Sequence, residues 1–184
     1  MSAPVVIVRT QLELDAALDL PTLAIRLTAT LGQAAGTLRI HHAAAAGRHI
    51  HVAAPVAVDV SGPDVVVDVD GTARVSDGAT ALARRGSHVT VEAGGRVYAA
   101  PGARVRVLAG RTVASTQAML IVAGIASSAD VVALAGTFLS TDTSARIVPP
   151  GRVAVHSAGQ WRDLKWPDVQ VSHADLRMLV RASL

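Results

Sequence analysis

The stretch from Gly71 to Val113 repeats itself, and that repeat constrains the fold more than any other feature of the chain. From Gly71 the blocks read GTARVSD, GATALARR and GSHVTVEAG; from Gly95 they read GRVYAAP, GARVRVLA and GRTVASTQ. The shift that lays Gly71 on Gly95 also lays Gly78 on Gly102 and Gly86 on Gly110. The apolar positions follow: Ala73 falls on Val97, Ala81 on Val105, Ala83 on Val107 and Val89 on Val113. Three short apolar/polar alternations per period, each closed by a glycine, predict a β-solenoid of about 24 residues per coil.

Within each block the side chains alternate between two faces. Val105 and Val107 share one face with Ala103 and Ala109, while Arg104 and Arg106 take the other. Glycine at each block end permits the positive φ of a sharp corner. Three such sides would close one coil, and stacked coils would lie about 4.8 Å apart with each strand paired in parallel. One coil cannot bury its own inner face, so neighbours must supply the stability. The same short strands and turns also fit an antiparallel β-sandwich, the competing expectation.

On this glycine and apolar spacing, residues 23–159 resemble the right-handed parallel β-helix proteins of the pectate-lyase-like kind. The resemblance implies an all-β, single-stranded parallel β-helix that opens with strand, short helix, strand. It speaks for fold and not for activity.

The flanks fit that expectation. VVIVR reads as a first strand, and Thr10 with Glu13 has capping-box spacing ahead of Leu12, Leu14, Ala17 and Leu18. The helix they predict would cover the open end of the core. After Gly159 the style changes, and Ser172 with Asp175 opens a stripe of Leu176, Leu179, Val180 and Leu184. That C-terminal helix is expected to close the far end of the solenoid, the alternative being a dock for another subunit. The chain is expected to be one domain, with cap (1–22), β-helix (23–159) and C-terminal tail and helix (160–184). The repeat frame slips near Ser127 and Ser128, where Gly110 comes to correspond with Gly136. Ala118–Leu139 carries a single charge, Asp130, along its whole length, but its alanines and the interrupting SSAD favour buried strands over a membrane helix.

Composition removes several function classes. Cysteine is absent, so disulfides and thiolate metal sites are excluded. Aromatic residues make up 2%, too few for a stacking platform for single-stranded nucleic acid. Net charge is +3, and the carboxylates are interspersed among the arginines, which disfavours a nucleic-acid partner. Lys165 is the sole lysine, a bias expected of a GC-rich genome such as an actinobacterium or its phage. MSAPVVIV has no basic n-region, so no signal peptide is read and the expected location is cytoplasmic or virion-associated.

Two clusters are weak candidates for chemistry. With the coil set by the Gly71–Gly95 spacing, Asp68 would stack on Glu92, with Asp70 nearby, as a carboxylate pair for glycoside cleavage or a hard cation. His49 and His51 share a strand face, and His41 or His42 on the next strand would complete a three-nitrogen zinc site. In both cases solvated surface side chains are the favoured reading. No nucleophile elbow, P-loop or dinucleotide fingerprint occurs. The sequence therefore points to a non-catalytic module without cofactor, binding a protein partner or itself. The expected contacts are Tyr98 with Arg104 and Arg106, and Trp161, Trp166, Leu176, Leu179 and Val180. A carbohydrate-active or carbohydrate-binding β-helix is the alternative.

Overall fold

The computed structural model describes residues 5–21, 24–29, 36–41, 43–123, 129–169 and 171–184. From Ala24 to Thr141 consecutive strands alternate between two facing sheets. The ten-stranded sheet runs β1 (Val5–Val8), β2 (Ala24–Leu27), β4 (His49–Val52), β6 (Val66–Val69), β8 (Thr80–Ala83), β10 (Arg96–Ala99), β12 (Gly110–Ala114), β14 (Ala129–Ala133), β17 (Arg152–Ser157) and β18 (Gln160–Lys165). The eight-stranded sheet runs β3 (Leu38–Ile40), β5 (Ala57–Val60), β7 (Thr72–Val75), β9 (His88–Val91), β11 (Arg104–Val107), β13 (Met119–Val122), β15 (Phe138–Thr141) and β16 (Ala145–Ile147). The lateral pairs through β14 and β15 are parallel; β14–β17, β17–β18 and β15–β16, at the end of the chain, are antiparallel. The chain is a β-solenoid with a helix near each terminus, as the repeat and the two flanking capping signals predict, and not a sandwich of hairpins.

The coil, however, has two strands rather than three. Thr80 pairs with Arg96 and Arg96 with Arg111, and His88 pairs with Arg104 and Arg104 with Met119. From β4 to β15 the lateral offset is shortest between Val66 and Thr80 and longest between Gly110 and Ala129 and between Met119 and Phe138. Val105 therefore lies beside Val89 and Leu120, while Ala81 lies beside Val67 and Val97. The self-similarity of the sequence spans three half-coils, so it carries a residue of one sheet onto a position in the other. The lengthened step from Gly110 to Ala129 marks the frame slip, whose serines lie outside the described residues.

Each half-coil is a short strand followed by a tight corner. Ser87 N–H donates to the Arg84 carbonyl (3.1 Å), Gly95 to Glu92 (3.0 Å) and Ala103 to Ala100 (3.1 Å), closing i to i+3 turns. The third residue of each, Gly86, Gly94 and Gly102, sits at φ +84°, +75° and +80°, the left-handed region glycine enters without cost. Corners also stack: Gly86 N–H bonds Gly102 O, and Gly102 N–H bonds Gln117 O, each at 3.0 Å.

Inward valines, alanines and leucines from both sheets form one continuous core, including Ile25, Val67, Ala81, Val97, Val105 and Leu120. Helix α1 (Gln11–Asp19) closes the first end, burying Leu14, Ala17 and Leu18 while Leu12 stays exposed. Its capping box is formed by Thr10 and Glu13. At the other end Arg146 of β16 and Asp163 of β18 form an ion pair between the two sheets. Trp161 packs on the core there, its ring 4.9 Å from that of His156. Ala118–Leu139 contributes β13, β14 and β15, and among the described residues no helix is long and apolar enough to cross a membrane.

Helix α2 (His173–Ser183) does not close the far end. It lies on the outer face of the ten-stranded sheet, across β12, β10 and β8, and buries Leu179 and Ala182 against Leu82, Tyr98 and Val113. At a rise of about 1.5 Å per residue it spans ~16 Å. Three strand steps, from Arg111 on β12 to Asp68 on β6, span about 14 Å. The anchors Asp175 and Arg181 stand about 9 Å apart along the helix, and their side chains reach outward to Arg111 and Asp68 to bridge the rest.

Two glycine substitutions separate the demands of the corner. A Cβ on Gly95 would lie 2.3 Å from the Val75 carbonyl oxygen, whereas one on Gly86 meets nothing within 4 Å. Gly95→Ala is expected to destabilise the fold by more than about 3 kcal/mol, by backbone overlap. Gly86→Ala should cost only the left-handed φ, about 1–2 kcal/mol. Urea midpoints of the two variants check the order.

Candidate functional site

The structure separates the carboxylates that a three-sided coil would have stacked. Asp68 projects from the outer face of β6 in the ten-stranded sheet, where its lateral neighbours are His51 and Leu82. Glu92 follows β9 of the other sheet and pairs with Arg74 at 3.5 Å. Asp68 and Glu92 are thus on opposite sheets, so no acid pair for glycoside cleavage is assembled from them. Asp70 lies 2.6 Å from His51 Nε2.

Asp68 is 1% exposed although it lies on an outer face, because the C-terminal end of α2 covers it. His49 Nε2 lies 2.8 Å from its Oδ2, Arg84 Nη2 donates to the same oxygen at 3.2 Å, and Arg181 Nη2 stands 3.6 Å from Oδ1. A buried carboxylate is tolerated when charges and donors surround it. Its work here is to anchor the helix.

His49 and His51 do share the outward face of β4, as their spacing predicts, but each faces an aspartate on or beside the neighbouring strand. His41 follows β3 in the eight-stranded sheet and lines a cavity whose other walls include Asp15 and Asp19 of α1. The three histidines therefore do not converge, and among the described residues no group of three His, Asp or Glu has a metal-holding arrangement. His42 lies outside the described residues.

Of the expected contact residues, Tyr98 and Leu179 are used inside the molecule. They are 8% and 5% exposed and pack in the apolar layer beneath α2. Tyr98 is also on the opposite sheet from Arg104 and Arg106, so the three do not form one patch. Leu176 and Trp161 are half-buried; Trp166 and Val180 are exposed. Arg104 and Arg106 stand exposed on the outer face of β11, as alternation predicts.

The polar end of α2 is anchored by Asp175. Tyr98 Oη donates to its Oδ1 at 2.8 Å, and Arg111 Nη2 and Ser172 Oγ donate to Oδ2 at 2.7 and 2.9 Å. Burial alone would push the Asp175 carboxyl up; the bonds from Tyr98, Ser172 and Arg111 outweigh it and hold it below the ordinary carboxylate range. Burial, reinforced by the Asp175 carboxylate, pushes the Tyr98 phenol up to about 12.

Sequence reasoning missed a contiguous uncovered apolar surface. Met119 and Ile121 on β13, Phe138 on β15 and Ile147 on β16 are 36%, 45%, 37% and 64% exposed, all on the outer face of the eight-stranded sheet. Register makes them contiguous: Arg104, Met119, Phe138 and Ile147 are successive lateral neighbours, and Arg106 adjoins Ile121. The signal was the apolar run MLIV, whose outward residues are as apolar as its inward ones. The chain matches no known protein family, no curated protein and no solved structure.

The sole tyrosine makes the α2 anchor directly observable. Its phenol is raised on folding, so its contribution to stability is complete below its ordinary value of 10.0 and is lost as pH climbs through about 12. Asp175 is depressed, so its contribution holds above the ordinary carboxylate value and is lost as pH falls through its lowered one. Tyrosinate absorbance of the native protein is expected to titrate near 12. Asp175→Asn should move that midpoint down towards the ordinary phenol value, because the adjacent negative charge is gone.

Proposed function

We propose that this β-solenoid is a non-catalytic binding module acting through protein–protein contacts, with the outer face of the eight-stranded sheet as its contact surface. One observation carries the reading: four large apolar side chains lie uncovered and contiguous on that face, bordered by two arginines, while α2 covers an apolar row on the opposite sheet. Apolar patches rimmed by polar residues mark interaction surfaces, and arginine is enriched in them. Of the candidate carboxylates and histidines, Asp68, Asp70, Glu92, His49 and His51 are engaged in ion pairs with each other or with arginine. Arginine in place of lysine supports assignment of the module to an assembly of a GC-rich bacterium or its phage, inside the cell or in the virion.

A photo-crosslinking residue at Ile121, compared with one at Thr90 on the same face, tests this in the native host. Protein adducts are expected from position 121 and few from position 90. The reading fails if position 121 yields no protein adduct while a glycan array shows saturable binding that Asp70→Asn abolishes, which would favour the carbohydrate alternative.

A further inference from the structure

Resting on the reading that this face meets protein, we propose that its occupant is an acidic amphipathic helix of a partner, laid along the solenoid axis over Met119, Ile121, Phe138 and Ile147. Its carboxylates would sit on Arg104 and Arg106.

The ten-stranded sheet shows how such a face is covered. There the outward residues Leu82, Tyr98 and Val113 form a lateral row across β8, β10 and β12, with Arg111 on the row beside it. Helix α2 runs along that row, apolar side down, and places Asp175 on the arginine. The eight-stranded sheet repeats the pattern without a helix. Met119, Phe138 and Ile147 form the row, Ile121 lies beside it, and Arg104 and Arg106 end it. From β11 to β16 there are three strand steps, about 14 Å, which a helix of the length of α2 spans.

Charge selects the occupant. Among the described residues, neither Arg104 nor Arg106 has a carboxylate within ion-pairing distance; the nearest polar contact of Arg104 is His88 Nε2 at 3.3 Å. From β9 to β16 the outward strand positions of this sheet include no carboxylate, and the nearby acids Asp59 and Glu92 both face Arg74. The matching patch on a second copy would thus bring arginines and apolar side chains, with no carboxylate at its outward strand positions to answer them. A partner that carries the acids satisfies both halves of the surface.

The test uses two designed helical peptides as probes, with leucine at i, i+3, i+4 and i+7 and either glutamate or lysine flanking. They are titrated into the isotope-labelled full chain and followed by amide chemical shifts. The glutamate peptide is expected to shift residues of β11, β13 and β15 while Tyr98 and Leu179 stay still. The lysine peptide should bind at least tenfold more weakly, and the folded Arg104→Glu/Arg106→Glu variant should reverse that order. The proposal is overturned if neither peptide binds, if both bind equally, or if the shifts fall at the α2 site. It is also overturned if light scattering shows a dimer that Ile121→Arg dissociates, an outcome that leaves the face a protein contact with a different occupant. Loss of the Ile121 crosslinks as well would remove the reading beneath it.

Discussion

A β-solenoid of this width depends on reversing the chain within one tight turn and setting the next strand one ladder step along the axis. The corner achieves this with an i to i+3 hydrogen bond and a third residue in the left-handed region, supplied at Gly86, Gly94 and Gly102. Where one backbone crosses another most closely, as at Gly95 over the Val75 carbonyl, no Cβ fits at all. Because these corners are equally short, the two sheets lie face to face with only a thin layer of side chains between them. That narrow space is why the inward positions are valine and alanine, with leucine and isoleucine at intervals, and why aromatic residues are nearly absent from it. Stacked methyl groups are individually weak, but the parallel ladder holds them in register.

The same geometry explains what was legible in the sequence. Alternation is local: it follows from the two-residue period of a strand, so Arg104 and Arg106 outward with Val105 and Val107 inward could be read directly. Glycine spacing gives the half-coil. It does not give the number of half-coils that close a turn, because both two and three are multiples of the same unit. The spacing from Gly71 to Gly95 is a true self-similarity but not a coil, and it mates Asp68 with Glu92 although those residues face away from each other on opposite sheets. Helix caps were legible because Thr10–Glu13 and Ser172–Asp175 satisfy their own neighbours. Where α2 would dock was not, since its apolar stripe fits an end and a side equally well. Only the outward Leu82, Tyr98 and Val113, read with the correct coil, show that the side was waiting for it.

The ends are handled by different chemistry. At the start, the Gln11 side chain accepts from the Arg39 N–H at 2.7 Å and donates to the Arg39 carbonyl at 3.0 Å, acting as a one-residue strand on the open edge of β3. Arg48 holds the last carbonyls of α1, donating to Leu18 O at 2.8 Å and Leu20 O at 2.6 Å. At the finish the final strands turn antiparallel, and their inward positions change from valine to Arg146 and Asp163. A charge pair at the end of an apolar column stops another coil from adding, a recognised way of protecting a sheet edge. Growth of the solenoid by stacking is therefore disfavoured at the end that carries this pair.

The two sides are chemically matched but differently finished. Each carries an outward apolar row beside arginine, an arrangement that is costly in water unless something covers it. On the ten-stranded sheet the chain supplies its own cover, at the expense of burying Asp68 among His49, Arg84 and Arg181. The helix itself reaches that carboxylate through Arg181 alone, and with Asp175 on Arg111 this second ion pair fixes its position, because Leu179 and Ala182 alone would tolerate sliding along the row. The other sheet has the row and the arginines, but among the described residues no acid meets them. A surface that repeats a docking site already solved once in the same molecule, with the complementary half missing, is better explained as the seat of another chain than as a fold left incomplete.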